Sequence, residues 1–175
     1  MSETVLSLKN VTIYQSNKVV LSQINLDVTP GEFLYIIGKT GTGKSYISQA
    51  LGNRAIIDGF RVYYTRVPTL LEEIKLSRID GSYTNLVKRF ARYKLLIIDD
   101  FGVSPISADD ATNLFEIIET RNQLSSTIIT SQLPVKDWYG YLQNNTVADA
   151  ILDRVVHSSH RIEIEGDSLR PKYSN

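Results

Sequence analysis

Apolar and polar residues alternate along the first part of the chain and then change to a longer period. In residues 4–14 and 18–29, apolar side chains recur at about every second position on either side of the polar turn 15–18. A period of two is typical of a strand with one buried face. The pattern therefore predicts two antiparallel strands, which a turn at residues 29–32 connects to a third strand at residues 33–38.

Beyond residue 38, short apolar strands alternate with amphipathic helices. Further strands are predicted at residues 61–65, 95–99, 126–131 and 160–165, and helices from the glycine-rich loop to near Gly59 and at residues 68–79, 83–93, 107–124 and 147–158. Ser107, with Asp110 three residues later, is close to a capping box. Strands that alternate with helices indicate a parallel sheet covered on both faces. The predicted fold class is α/β: one domain, a three-layer sandwich with a small N-terminal antiparallel sheet and a loose tail at residues 166–175.

Composition excludes several classes of protein. The chain carries 19 basic and 19 acidic residues, so its net charge is zero and provides no global attraction to nucleic acid. It contains no cysteine, which excludes a disulfide framework and the usual zinc-finger spacing. No apolar run approaches the length of a membrane span, and the first residues do not resemble a signal peptide. We therefore expect a cytoplasmic protein without membrane insertion.

The segment between the third strand and the next helix carries a phosphate-binding motif. Residues 38–45, GKTGTGKS, fit the pattern G-x-x-x-x-G-K-[ST]. The glycines allow several backbone N–H groups to point at one phosphate, and the helix N-terminus adds its dipole. Lys44 is expected to reach the β- and γ-phosphates, and Ser45 to offer its hydroxyl to Mg²⁺. The predicted nucleotide-binding residues here are Gly38, Thr40, Gly41, Thr42, Gly43, Lys44, Ser45 and Tyr46. The alternative is a glycine-rich turn with a surface lysine.

An acidic pair ends the apolar strand LLIIDD. Asp99 is expected to hold the Mg²⁺ shell, and Asp100 to polarise the attacking water. In the alternative, the pair only marks the end of a strand. The guanine-reading sequence N-K-x-D is missing, since the one Asn-Lys pair, Asn17-Lys18, is followed by two valines and precedes the loop. ATP with Mg²⁺ is therefore the predicted ligand.

From about residue 36 to residue 170 the chain resembles the insertion-sequence ATP-binding protein family IstB, a relative of the helicase loader DnaC. The segments that carry the resemblance are GKTGTGKSYISQALG, RVYYTRVPTLLEEI, DGSYTNLVKRFAR, LLIIDDFGVSPI, STIITSQLPVKDW and ADAILDRVVHSSHRIEIEGDSLR. The resemblance implies an AAA+ ATPase of the additional-strand class, with the parallel strands in the order 5-1-4-3-2. It also implies DNA or a transposase-like protein as a partner.

The same resemblance implies two further catalytic residues. Thr130, Ser131 and Gln132 would hold the sensor-1 position at the end of the fourth strand, where Gln132 would contact the γ-phosphate or the water. Arg154 would match an arginine finger, which completes the site of a neighbouring subunit and so implies a homo-oligomer. The alternative for Arg154 is an ordinary surface arginine in a salt bridge.

Residues 1 to about 45 resemble a different family. The segment VLSLKNVTIYQSNKVVLSQINLDVTPGEFLYIIGKTGTGKS is similar to the start of an ABC-transporter ATPase, most of all to the cell-division ATPase FtsE. That resemblance implies that Tyr14 stacks on adenine; the alternative is a strand aromatic packed on its neighbour. The ABC signature L-S-G-G-Q is absent, and so is the helical region that precedes the loop in IstB-type proteins, where partner contacts would be expected. We interpret the chain as a fusion near the phosphate loop, engineered or natural, with an ABC-like part (1–32), an IstB-like core (33–165) and the tail.

Three weaker signals have simpler explanations. The basic residues Lys88, Arg89, Arg92 and Lys94 surround the aromatic residues Phe90 and Tyr93. Such a mixture occurs in nucleic-acid sites, but at helical spacing Phe90 faces the core and the charges form a solvated face. His157 and His160 lack the further ligands of a metal site. Trp138 and Tyr139, which follow a proline, are expected to cover the edge of the sheet.

Three functions are compatible with these motifs. The first is Mg²⁺-dependent ATP binding with hydrolysis of ATP to ADP and phosphate by an AAA+ ATPase. The second is a monomeric nucleotide-binding scaffold that hydrolyses ATP very slowly or not at all. The third, an ABC-type ATPase subunit, is disfavoured by the missing signature. Oligomerisation separates the first two, since an arginine finger acts only across a subunit interface.

Overall fold

The structure, a computed structural model, describes residues 4–15, 17–157 and 159–165. Its strands are β1 (Leu6–Gln15), β2 (Lys18–Val28), β3 (Phe33–Gly38), β4 (Val62–Arg66), β5 (Leu95–Phe101), β6 (Ser126–Ser131) and β7 (Ser159–Ile164). Its helices are α1 (Lys44–Ile57), α2 (Val67–Ile79), α3 (Tyr83–Ala91), α4 (Ala108–Arg121), α5 (Trp138–Leu142) and α6 (Asn145–His157), with a short 3-10 helix at Val135–Asp137 before α5.

Five of these strands form one parallel sheet in the spatial order β4-β5-β6-β3-β7. If β3 is numbered 1, β4, β5, β6 and β7 become strands 2, 3, 4 and 5. Read from the β7 edge, the spatial order is then 5-1-4-3-2. The fold class and the strand order implied by the resemblance are therefore confirmed. The carboxyl ends of β3, β5 and β6 lie side by side, as the pairs Ile37–Ser131 and Phe101–Ser131 show.

Apolar side chains alternate across the sheet and form two layers of core. Along β3, Phe33 and Tyr35 face one layer, whereas Leu34 and Ile36 face the other. Helices α2 to α6 cover the first layer. Helix α1 covers the second together with the β1–β2 hairpin, which makes the three-layer arrangement complete.

The hairpin of β1 and β2 is an integral part of the second layer. Its buried apolar side chains are Leu6, Leu8, Ile13, Leu21, Leu26 and Val28. They belong to the same cluster as Ile47, Leu51 and Ala55 of α1. Full burial of one such side chain contributes about 1.5–3 kcal/mol, so this contact holds the hairpin firmly on the domain. The two predicted antiparallel strands are confirmed, and they fill the space beside α1 that one helix cannot cover.

Local signals in the sequence locate several boundaries correctly. The strands at residues 33–38 and 126–131 have the predicted bounds. The capping box at the start of α4 is present, since the Asp110 N–H donates to Ser107 Oγ at 3.1 Å and the Ser107 N–H donates to Asp110 Oδ2 at 3.2 Å. The predicted tail, 166–175, lies outside the described residues.

The prediction for Trp138 was wrong. Helix α5 was not foreseen, and Trp138 at its start is fully buried above the middle of the sheet. Its ring packs against Phe101 at 4.4 Å and Tyr35 at 6.3 Å between centroids, and Nε1–H donates to the Leu133 carbonyl at 2.9 Å. β3 and β5, which carry those two rings, are interior strands, so Trp138 fills the core and does not cover an edge.

Candidate nucleotide-binding site

The glycine-rich loop joins the end of β3 to the start of α1. Gly41 (φ 83°) and Gly43 (φ 93°) take left-handed backbone conformations that other residues rarely adopt. Gly43 is the N-cap of α1 and, as a glycine, provides no side-chain cap for the first turn of the helix. The N–H groups of that turn can therefore point at an anion, and the helix dipole favours negative charge there.

Gly38 is required by a close contact with β7. A Cβ atom at this position would lie 2.7 Å from the Ile164 carbonyl oxygen and 2.8 Å from Thr42 Oγ1. Both distances are shorter than real Cβ contacts, and one neighbour is backbone that cannot move aside. The first glycine of the motif therefore allows the loop to lie against the last strand of the sheet.

Lys44 lies along the loop. Its Nζ donates to the carbonyl oxygens of Gly38 and Lys39, at 2.7 Å each, and the residue is 8% exposed. Thr42 Oγ1 donates to the same Lys39 carbonyl at 2.9 Å. These bonds hold the ammonium group at the mouth of the loop, which is where a phosphate on the helix N-terminus needs a counter-charge.

A cleft of about 190 Å³ lies above the loop and brings most of the predicted site together. Its lining residues are Thr40, Gly41, Gly43, Lys44, Ser45, Tyr46, Asp100 and Gln132. They come from the ends of β3, β5 and β6 and the start of α1, and Thr40 Oγ1 donates to Gln132 Oε1 across the cleft. The motif, Asp100 of the acidic pair and Gln132 thus meet at the carboxyl edge of the sheet, where parallel α/β folds bind ligands.

Asp99 is buried beside this cleft, with 1% of its surface exposed. Oδ1 accepts a hydrogen bond from the Thr130 hydroxyl, and Oδ2 accepts one from the Tyr64 hydroxyl. Burial raises the pKa of Tyr64, and its hydrogen bond to Asp99 raises the pKa further, so Tyr64 is a protonated donor at neutral pH. Among the described residues no lysine, arginine or histidine forms an ion pair with Asp99.

Asp100 takes a strained conformation that turns it into the cleft. Its φ is 61°, and the β5–β6 pairing skips from Ile98 to Phe101 at this point. A non-glycine residue in this region costs of the order of 1–3 kcal/mol, and such strain concentrates at functional sites. The Asp100 N–H donates to Thr130 Oγ1 at 3.3 Å, and Arg66 Nε lies 3.4 Å from Asp100 Oδ2.

The donor set fits a magnesium ion that is held together with a nucleotide. The buried Asp99 carboxylate, which has no ion-pair partner among the described residues, and the Ser45 hydroxyl in the cleft offer the hard oxygen ligands that Mg²⁺ prefers. Within residues 4–15, 17–157 and 159–165, no cluster of three or more His, Cys, Asp or Glu could bind a metal alone. That agrees with an ion whose other ligands are phosphate oxygens and water.

Comparison with known proteins identifies the family. The model of the family described as IstB-like ATP-binding protein matches residues 19–175. The chain belongs to the IstB-like ATP-binding protein family. An insertion sequence ATP-binding protein of Sinorhizobium fredii is 47% identical over 137 residues, which are 78% of this chain and 56% of that protein. The chain thus spans about half the length of the curated relatives it matches.

Solved structures show the fold of this IstB-like chain. A DNA replication initiation factor matches with a TM-score of 0.67 and 25% identity, over 78% of this chain and 40% of that chain. The DnaC helicase loader matches with a TM-score of 0.66 and 22% identity, over 78% of this chain and 80% of that chain. Both are AAA+ proteins, so the P-loop AAA+ fold is established. The family match begins inside β2, and the ABC-like resemblance and the fusion stay predictions.

Two predicted site residues lie away from the cleft of the IstB-like domain. Tyr14, opposite Val19 near the end of the hairpin, is 55% exposed and does not line the cleft. Arg154 lies on α6, where Nη2 forms an ion pair with Glu119 of α4 and Nη1 donates to the Ala150 carbonyl. Its guanidinium also lies 5.2 Å from the centroid of the Phe115 ring. Within its own subunit Arg154 is therefore held against α4.

Tyr64 and Arg66 were missed by the sequence analysis. Both lie on β4, which pairs with β5 so that Arg66 is opposite Asp99. The sequence contains a signal for both residues. Neighbouring parallel strands end at the same edge of a sheet, so the polar residues at the end of RVYYTR were candidates to contact the acidic pair at the end of LLIIDD. A hydrogen bond that Arg66 donates to Tyr64 and the charge of Asp100 raise the pKa of Arg66 above its ordinary value.

The weaker signals have structural roles in the IstB-like domain. Phe90 is fully buried, as predicted, and Arg89 pairs with Glu73 on α2. His160 Nε2 lies 3.2 Å from Glu32 Oε2, and the side chain of His157 lies outside the described residues. None of the helices in the described part of the chain combines the length and the apolarity that crossing a membrane requires.

Proposed function

We propose that the chain binds ATP with Mg²⁺ and hydrolyses it to ADP and phosphate as an AAA+ ATPase. The observation that carries the proposal is the single cleft that contains Lys44, Asp100 and Gln132. A cation for the phosphates, a carboxylate for the water and a polar amide for the γ-phosphate are the parts that phosphoryl transfer needs. The family description, ATP-binding protein, supports the choice of nucleotide.

Each part of the cleft has one task. The N–H groups of the loop and the first turn of α1 bind the phosphates, and Lys44 turns its Nζ from the loop carbonyls to the β- and γ-phosphates. Ser45 and Asp99 would hold magnesium, which, when bound, neutralises charge on the phosphates. Asp100 orients and polarises the attacking water, and Gln132 exchanges its bond with Thr40 for one to the γ-phosphate or to that water.

Arg154 acts on a second copy of the chain in this proposal. It does not line its own cleft and is held against α4, so in this proposal it reaches the phosphates of a neighbouring subunit. The active species would then be a homo-oligomer, and Arg154 must leave Glu119 when the subunits assemble. A DNA or transposase-like partner, implied by the resemblance, is a further proposal.

Asp100→Asn should leave ATP binding intact and lower the hydrolysis rate by about 10²–10⁴-fold, because the amide keeps the shape but cannot accept a proton from water. Asp109→Asn is the matched control, since Asp109 is an exposed aspartate in the first turn of α4. Calorimetric ATP affinity and phosphate release would be measured for parent, variant and control. If Asp100→Asn releases phosphate at the rate of the parent, Asp100 has no catalytic role.

The second candidate is a monomeric scaffold that binds ATP and hydrolyses it very slowly. The ion pair of Arg154 with Glu119 favours it, because this arginine already has an intramolecular partner. Light scattering with and without ATP and Mg²⁺, together with phosphate release, separates the two candidates. A monomer without turnover would support the scaffold.

Tyr14 is proposed to hold the adenine ring. Stacking of an aromatic side chain on a base contributes about 1–3 kcal/mol, so Tyr14→Ala should weaken ATP binding by about 5- to 150-fold. Tyr14→Phe should preserve the affinity, because the ring face and not the hydroxyl contacts the base. The exposed position of Tyr14 leaves its ring accessible to a ligand.

Inorganic triphosphate is the internal control for Tyr14, since it occupies the loop but carries no base. Affinities for ATP, GTP and triphosphate would be measured with parent, Tyr14→Ala and Tyr14→Phe. We expect triphosphate affinity to be equal in all three proteins. If Tyr14→Ala binds ATP as tightly as the parent, Tyr14 is only a surface residue of the hairpin.

A further inference from the structure

Two hydroxyl groups bind the buried carboxylate of Asp99, one on each oxygen. Thr130 comes from β6 and Tyr64 from β4, the strands on either side of β5. The carboxylate is thus fixed from both neighbouring strands, and it cannot rotate without breaking a hydrogen bond. The two donors come from segments 35 and 31 residues away from Asp99 in the sequence, so the fold brings both hydroxyl groups to this carboxylate.

The arrangement gives Asp99 no ion-pair partner among the described residues, although Arg66 on the neighbouring strand is influenced by its charge. A buried carboxylate that only stabilises a fold is normally paired with a lysine or arginine, because an unpaired buried charge is costly. Asp99 is 1% exposed and has no ion pair with any residue of the described ranges. Neutral hydroxyl donors orient the carboxylate without a cation of their own, so its oxygen atoms stay available to an external cation.

The hydroxyl of Tyr64 is separable from the packing of its ring. Tyr64 lies on the α1 side of β4, where its ring packs against the second core layer. Its neighbour Tyr63 points to the opposite face, and its hydroxyl lies 3.4 Å from Glu73. The two tyrosines lie on the same strand and are both partly buried, but their hydroxyl groups contact different carboxylates. Tyr63 is therefore a suitable control for substitutions of Tyr64.

We propose that Tyr64 is a positioning residue for the metal: its hydroxyl, with that of Thr130, holds the Asp99 carboxylate in the orientation in which a divalent cation binds beside the nucleotide. The proposal rests on the proposed function, since the cation arrives with ATP. Tyr64 acts through Asp99 and contacts neither nucleotide nor metal. Partners that orient a metal ligand typically change metal affinity by about 10–100-fold when they are removed.

The test uses Mn²⁺ as a spectroscopic probe of the full chain with ATP. The electron paramagnetic resonance signal of free Mn²⁺ decreases as the ion binds, and this decrease measures metal affinity. Calorimetry in EDTA measures ATP affinity without metal. Tyr64→Phe should bind ATP in EDTA as the parent does and bind Mn²⁺ in the ATP complex about 10- to 100-fold more weakly. Tyr63→Phe should match the parent in both measurements.

A double-substitution cycle shows whether Tyr64 acts through Asp99. In an Asp99→Asn background, Tyr64→Phe should cause no further loss of Mn²⁺ affinity, because the group that it orients is gone. An equal additional loss in that background would overturn the proposal. Thr130→Val removes the other donor and provides a second variant, with the same expected loss of Mn²⁺ affinity, should Tyr64→Phe fold poorly.

The outcomes distinguish this proposal from the proposed function. If the parent binds no ATP in EDTA or with Mn²⁺, the nucleotide site itself is wrong. If the parent binds ATP and Mn²⁺, and Tyr64→Phe binds Mn²⁺ with the affinity of the parent, the role proposed for Tyr64 is contradicted while the ATP site stands. Equal losses of ATP affinity in EDTA and of Mn²⁺ affinity would show that Tyr64 supports the loop as a whole, which also overturns the proposal.

Discussion

Arg154→Ala should lower the rate of ATP hydrolysis by about 10³-fold while ATP affinity stays close to that of the parent. An arginine finger stabilises charge that develops on the transferred phosphate in the transition state, and removal of such a residue costs at least this much. Arg154 does not line its own cleft; it pairs with Glu119 and packs on Phe115 of α4. We therefore expect its effect to come from a neighbouring subunit, with a specific activity that rises with protein concentration.

A mixture of two inactive variants tests action between subunits directly. Arg154→Ala retains Asp100, and Asp100→Asn retains Arg154, so a mixed oligomer contains some sites with both groups. We expect the mixture to recover part of the parent activity that neither variant has alone. Arg78→Ala is the control, since Arg78 forms a comparable ion pair with Glu116 on α4. Activity that is independent of concentration and insensitive to Arg154→Ala would support the monomeric scaffold.

Lys44→Ala should abolish turnover and weaken ATP binding by about 10- to 150-fold. That range corresponds to the loss of about 1.5–3 kcal/mol for a hydrogen bond to a charged group. Lys44 supplies the cation at the mouth of the loop, and it is held there by the carbonyl groups of Gly38 and Lys39. Its loss removes both charge neutralisation in the bound state and transition-state stabilisation.

Lys94→Ala is the control for Lys44→Ala. Lys94 is an exposed lysine immediately before β5, at the opposite end of the strand from Asp100. ATP affinity would be measured by calorimetry, and a thermal melt without nucleotide would show whether loss of the two loop bonds alters stability. Parent affinity in Lys44→Ala would contradict the assignment of the phosphate loop.

Features that depend only on residues close together in the chain could be predicted from the sequence. The phosphate motif, the strand before it and the helix after it follow from glycine positions and local periodicity, and all three are present. The capping box of α4 needs only Ser107 and Asp110. The strand order came from resemblance to a family and not from periodicity, since apolar spacing shows that a strand is buried but not which strand lies beside it.

Tertiary structure alone decided the features that join distant segments. The hairpin packs beside α1, Trp138 enters the core, and Tyr64 reaches Asp99 across 35 residues of sequence. Each of these depends on which strands are neighbours and which face a side chain points to. Arg154 is a further example. The sequence around it is compatible with an arginine finger or with a surface salt bridge, and the packing of α6 on α4 places it at Glu119. Local patterns specify elements; contacts between elements arise when the whole core is assembled, because burial of apolar area selects among the possible pairings.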